Sequence, residues 1–178
     1  NDDGTMSLDS LKLKLEWILL HHPNSPVIIN VNIGTTTTGS IDELPKIKEL
    51  IDERAPTLLY RIHLDGAMLG ILLPILKPFG ENVNYFEFAD TLSFSFHKYL
   101  GIPHPCGCAM TTQSLMDEII ADKKQCIQYA GNILDTTISG SRSGLNVLLV
   151  YNALIYGLRL DKSHKKLTQF VVEDLKQT

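Results

Sequence analysis

The chain has no block of a single charge sign. Its 16 basic and 20 acidic residues are interspersed and leave a formal net charge of -4. Without a basic stripe there is no electrostatic footprint for nucleic acid. It has no apolar run near the roughly 18 residues that a membrane-spanning helix needs. Its first residues do not show the basic-then-apolar order of a secretory signal, so the cytoplasm is the expected compartment. Cysteine is scarce. Cys106, Cys108 and Cys126 are odd in number, and the first two stand too close for a comfortable disulfide or zinc pair. They read as reduced thiols in or near a strand. There is no internal repeat, low-complexity tract or linker. A length of 178 residues with 44% hydrophobic content suffices for one domain with a substantial core, and small-molecule chemistry is the class of function these absences leave.

What is present is an alternation of helical and strand patterns. Ser7 can cap a helix carrying Leu8, Leu11, Leu15, Trp17, Ile18 and Leu19, which must stop before Pro23. Val27 to Val31 is short, β-branched and bounded by turn residues, and so reads as a buried strand. Asp42 is the expected cap of a second helix, with Leu44, Ile47, Leu50 and Ile51 on one face. Leu58 to Leu64 and Thr91 to Phe96 are the next strands, with a short apolar helix or turn from Gly66 to Leu76 between them, broken by Pro74. Cys106 to Thr111 is a fourth strand, and Gln113 to Ala121 a helix. From Gly144 a nearly all-apolar helix gives way to an amphipathic one at Lys162. Repeated βα order predicts an α/β fold with a mostly parallel sheet and helices on both faces. A chain that opens on a helix and closes inside a charged one, with no room for a second lobe, is expected to be a fragment.

Two of these strands end in polar residues. The runs Arg61-Ile62-His63-Leu64-Asp65-Gly66-Ala67 and Ser93-Phe94-Ser95-Phe96-His97-Lys98 are joined by a helix-sized segment. Parallel strands so connected bring their carboxyl ends to one edge of the sheet, where such sheets bind ligands. That edge would present Asp65, His97 and Lys98. A lysine able to form an imine, facing a carboxylate able to pair with a pyridinium nitrogen, is the minimal equipment for holding pyridoxal phosphate. Taken alone, a His-Lys pair after a strand is a solvated strand end; Asp65 in register changes that reading.

A series of motifs then carries a family resemblance. Asn32-Ile33-Gly34-Thr35-Thr36, His63-Leu64-Asp65-Gly66-Ala67, Ser95-Phe96-His97-Lys98, Pro105-Cys106-Gly107 and Ile138-Ser139-Gly140-Ser141-Arg142 occur in order across nearly the whole chain. The series resembles the group II pyridoxal-phosphate-dependent amino-acid decarboxylases, and within them the histidine and serine decarboxylases. The resemblance implies the aminotransferase-like large domain of fold type I, with residues 1–178 as its C-terminal part. It implies Lys98 as the covalent anchor of the cofactor aldehyde and Asp65 as partner of the ring nitrogen. Ser95 and His97 match positions lining the phosphate, where a hydroxyl and an imidazole both donate well. Ala67 matches a small residue that lets the backbone approach the ring. Thr36, with Thr35 as second choice, can reach the ring hydroxyl or simply belongs to a stiff polar turn. His63 shares the strand face of Asp65 and either orients its carboxylate or is a satisfied core histidine. The implied reaction releases carbon dioxide from an L-amino acid to give an amine, histidine being the first choice of substrate, in a homodimer.

Departures from the family pattern leave the substrate open. Phe96 stands where relatives have glycine, Gly66 where they have alanine, and Ser143-Gly144-Leu145 where they have Asn-Gly-His. The Gly/Ser/Thr-rich phosphate loop, the ring-stacking histidine and the small C-terminal domain of relatives have no counterpart; His21 and His22, at a helix end, are poor substitutes. The rival readings are a serine, aromatic or acidic amino-acid decarboxylase, a non-catalytic subunit of the same fold, and a nucleotide-binding protein. The last rests on Gly34-Thr35-Thr36-Thr37-Thr38-Gly39-Ser40, which has P-loop glycine spacing but lacks the lysine after the second glycine.

Overall fold

A computed structural model describes residues 1–80, 83–122, 126–127, 133–134 and 142–157. Its centre is a four-stranded sheet of β1 (Val27–Asn32), β2 (Tyr60–Asp65), β3 (Thr91–Ser95) and β4 (Gly107–Thr111), in that spatial order. β1, β2 and β3 run parallel and β4 is antiparallel to β3. The sheet is therefore mostly parallel, as the βα repeats predict. Helix α1 (Leu8–His21) precedes β1, and α2 (Leu44–Arg54) crosses from β1 to β2. A 3-10 turn (Gly70–Leu72) running into the one-turn helix α3 (Leu73–Leu76) lies between β2 and β3. Helices α4 (Gln113–Asp122) and α5 (Gly144–Asn152) follow β4, the latter running into a π-type turn at Ala153–Gly157. A separate two-stranded pair joins β5 (Cys126–Ile127) and β6 (Ile133–Leu134). The amphipathic helix expected from Lys162 and the Ile138–Ser141 part of the last motif fall outside the described residues.

Alternation along the strands sorts the sheet into two faces. Ile29, Val31, Ile62, Leu64 and Leu92 are buried in a single core with Leu15 of α1 and Leu44, Ile47 and Ile51 of α2. Leu15 and Ile47 are among the most deeply buried side chains, which is why both helices lie against this face. The opposite face carries Asn30, Arg61, His63, Asp65, Thr91, Ser93 and Ser95, none of them fully buried. Arg61 there pairs with Asp90 at 2.9 Å and Glu118 at 3.1 Å. No helix among the described residues is long and apolar enough to cross a membrane. Cys106 and Cys108 are free thiols just before and within β4, and burial pushes the Cys108 thiol above its usual range.

Ser7 caps α1 as expected, its hydroxyl accepting from Ser10 N–H at 3.2 Å. The second cap is different. Glu43, not Asp42, occupies the N-cap of α2, and its side chain makes no capping bond. Asp42 is drawn back against β1, because Ile33 and Ile41 form an antiparallel bridge and Asp42 N–H donates to the Asn32 carbonyl at 3.0 Å. Only 1% exposed, its carboxylate accepts from Met6 N–H at 2.6 Å, Asn32 N–H at 2.7 Å and Asn32 Nδ2 at 3.3 Å. One side chain thus ties the segment before α1 to the end of β1. Asp42→Ala leaves those donors unpaired and is expected to destabilise the full-length protein by about 3 kcal/mol. A urea midpoint unchanged by the substitution would contradict this.

Candidate functional site

All seven residues proposed from the sequence lie at or near the carboxyl edge of β1–β3. Thr36 is in the loop after β1; His63 and Asp65 are in the last half of β2, and Ala67 just beyond it; Ser95 ends β3, with His97 and Lys98 in the turn that follows. In register, Asn32, Asp65 and Ser93 form one row across the three strands. This juxtaposition follows from the crossover: each strand must point the same way, so each strand end arrives at the same edge.

Backbone hydrogen bonds close the crevice between β2 and β3. Asp65 Oδ1 accepts from Ala67 N–H at 3.1 Å, while Ser95 N–H donates to the Ala67 carbonyl at 3.4 Å. Gly66 N–H donates to the Ser93 carbonyl at 2.8 Å. Asp65, Ala67 and Ser95 are therefore linked in a continuous chain. Gly66 is explained by the same closeness. A Cβ there would lie 2.6 Å from Gly70 Cα and 3.0 Å from the Ser93 oxygen, so the alanine expected from the resemblance does not fit. Gly66→Ala is expected to cost about 2 kcal/mol by forcing the turn away from β3. The check is thermal unfolding of the full-length protein, in which an undisturbed midpoint would show that the turn yields freely.

His97 and Lys98 sit in a loop anchored on both sides. Phe96 N–H donates to the Cys106 carbonyl at 3.0 Å, and His97 Nδ1 lies 3.1 Å from Cys106 N and 2.9 Å from its carbonyl oxygen, serving one of them according to its tautomer. The ring is thereby held through Nδ1, and the residue as a whole is exposed. Lys98 is exposed and takes part in none of the ion pairs among the described residues. A cleft of about 420 Å³ opens beside this loop, lined by Phe96, Cys106, Asn146 and Val147 among others. Neither Asp65 nor Lys98 lines it.

Two placements choose between alternatives that residue type leaves open. His63 does not bond the Asp65 carboxylate: its Nδ1 lies 2.7 Å from Thr91 Oγ1 and its Nε2 3.1 Å from Ser93 Oγ. Both ring nitrogens are thus taken up by hydroxyls on the facing strand. Thr35 is committed to its own loop through Thr38 Oγ1 at 2.6 Å and Ser40 N–H at 3.1 Å, whereas Thr36 is exposed. Gly34 N–H and Thr35 N–H both donate to the Ser40 carbonyl at 3.0 Å, and Gly39 N–H to the Thr35 carbonyl at 2.9 Å, so both glycine amides of the P-loop-like segment are used within the loop. Sequence reasoning passed over Thr91 and Ser93. They share with Ser95 the two-residue alternation along β3, which is the signal that finds them.

The donor set fits pyridoxal phosphate. A carboxylate with one oxygen fixed by a backbone amide stands on the same sheet edge as a lysine without an ion pair, with a small residue between the strands and a hydroxyl and an imidazole nearby.

Comparison with known proteins agrees. The family described as the pyridoxal-dependent decarboxylase conserved domain matches residues 1–154. The chain is 34% identical over 181 residues to a histidine decarboxylase of Acinetobacter baumannii, covering 97% of this chain and 44% of that protein. It is 36% identical over 141 residues to serine decarboxylase 2 of Oryza sativa, covering 79% and 28%. It thus spans less than half the length of these relatives. Among solved structures, a point mutant of L-methionine decarboxylase from Streptomyces sp. 590 superposes with a TM-score of 0.68 at 21% identity over 89% of this chain and 38% of that one. Mouse CSAD does so with 0.63 at 20% identity over 100% and 38%. These structures establish the fold as that of the fold type I decarboxylases, and the family match with its relatives above 30% identity leads to one conclusion: the chain belongs to the pyridoxal-dependent decarboxylases.

Proposed function

We propose that this chain is the C-terminal part of the large domain of a pyridoxal-phosphate-dependent amino-acid decarboxylase, and that the whole protein converts histidine to histamine. The observation that carries the reading is the hydrogen-bond chain from Asp65 through Ala67 to Ser95, which draws the ends of β2 and β3 together a few residues before Lys98. When bound, the cofactor supplies an electron sink for the pair released as the carboxylate leaves. The protein's own residues do the rest. Asp65 holds a proton at the ring nitrogen, because an adjacent carboxylate favours the charged pyridinium. Lys98 Nζ would anchor the cofactor covalently and is the amine placed to carry a proton. Ser95 Oγ and His97 Nε2 donate to phosphate oxygens. Ala67 leaves room for the ring, and Thr36 reaches its hydroxyl. Histidine is preferred over serine because the histidine decarboxylase matches cover more of the chain. A homodimer in the cytoplasm completes the reading.

The test is the full-length protein, loaded with pyridoxal phosphate and offered each common amino acid, with amine and carbon dioxide measured. Release from histidine above all others is expected. Release only from another amino acid overturns the substrate, and cofactor binding with no release from any overturns the reaction.

A further inference from the structure

We propose that His63, Thr91 and Ser93 form a positioning bracket for Asp65. The inference rests on the decarboxylase reading and assigns these residues a task in the same site. The parallel ladder between β2 and β3 is short, with just three paired positions: His63 with Thr91, Leu64 with Leu92 and Asp65 with Ser93. His63 stands across from the first residue of β3 and reaches diagonally to the residue opposite Asp65, bonding both hydroxyls through its two ring nitrogens. One imidazole thus spans the whole length of this ladder on the face that carries Asp65.

The bracket matters because the bonds that fix the 66–67 turn and the Asp65 carboxylate run largely to β3, while the Asp65 carbonyl is held from the β1 side by Ile33 N–H at 2.8 Å. The Ser93 carbonyl accepts from Gly66 N–H, and Ser95 N–H holds the Ala67 carbonyl, while Ala67 N–H fixes Asp65 Oδ1. A lateral or lengthwise shift of β3 against β2 therefore moves the 66–67 turn and the carboxylate together. With no room for a Cβ at Gly66, the turn has a single close-packed seat and no slack to absorb the shift. Two side-chain hydrogen bonds across a three-residue ladder add, at the Asp65 end, to the Asp90–Ile62 bonds of 2.9 and 2.8 Å that hold the other end. His63 suits this task in either protonation state, since a hydroxyl donates to a bare ring nitrogen and accepts from a protonated one.

The test uses the full-length protein. His63→Phe keeps the ring's bulk and removes both bonds, and Ser93→Ala removes one of them should His63→Phe fail to fold. In the apoprotein, amide exchange at Gly66, Ala67 and Ser95 is expected to quicken at least several-fold in these variants while amides of β1 hold their rates. In the loaded enzyme kcat is expected to fall roughly 10- to 100-fold, as for a small misplacement of a reacting group, with KM changed less than about threefold. The ring-nitrogen signal of 15N-labelled cofactor should move toward the unprotonated position. His63→Gln, which retains a donor and an acceptor, is expected to recover part of kcat and of the nitrogen signal. Parent-like kcat, nitrogen signal and amide exchange in His63→Phe or Ser93→Ala overturn the bracket, as does a lowered melting temperature with kcat intact. Asp65→Asn is run alongside. If it too has no effect, the decarboxylase reading fails; if it alone is impaired, just the bracket does.

Discussion

Lys98→Ala in the full-length enzyme is expected to abolish the visible absorption band of the covalently held cofactor and to lower decarboxylation to below about a thousandth of the parent rate. Lys98 is the residue in the motif series with a primary amine at the carboxyl edge, and it takes part in no ion pair among the described residues. On the proposed assignment, alanine removes both the cofactor's covalent anchor and an amine placed to carry a proton. The cofactor's remaining hold, through its phosphate and ring, is untouched by the substitution, so the variant should still bind it reversibly. Equilibrium dialysis alongside the spectrum separates the two effects. A band of parental intensity in the variant would move the anchor to another lysine.

Asp65→Asn is expected to fail differently. The amide preserves shape and can still accept from Ala67 N–H, but it has no charge with which to hold the ring nitrogen protonated. The band should persist, and kcat should drop on the order of 10²- to 10³-fold, the usual scale for losing one electrostatic contact to developing charge. The contrast between a lost band and a retained one, each with a lost rate, assigns the two roles. A near-parental rate for Asp65→Asn would show that the carboxylate does not serve the electron sink.

What the sequence revealed and what it concealed divide along physical lines. β1 to β3 were readable because each is a short apolar run bounded by turn residues, and no competing helical period fits them. The meeting of Thr36, Asp65, Ala67, Ser95, His97 and Lys98 at one edge follows from parallel connection alone. Asp42 was misread as a helix cap because capping is a local rule, while its partners, Met6 and Asn32, are brought by tertiary folding. Gly66 was noted as a departure, but its necessity depends on Gly70 four residues on, a distance only coordinates supply. His63 was placed on the correct face, yet the choice of Thr91 and Ser93 over Asp65 depends on the β2–β3 register, which no pattern of residue types encodes.

The segment bearing Lys98 leaves the sheet at Ser95 and returns at Gly107, and those two residues are themselves paired across the antiparallel β3–β4 ladder. Both feet of the loop are thus fixed by the hairpin, and the His97 ring braces its interior against Cys106. The loss of freedom needed to bring the lysine to the edge where Asp65 stands is met when the chain folds, before any ligand arrives. Preorganisation of this kind favours tight association without adding a contact, since little ordering is left for the binding step. Residues 99–105 complete the brace: Ile102 is buried and its N–H donates to the Phe96 carbonyl at 3.4 Å, while Gly101 takes a left-handed φ of 64°.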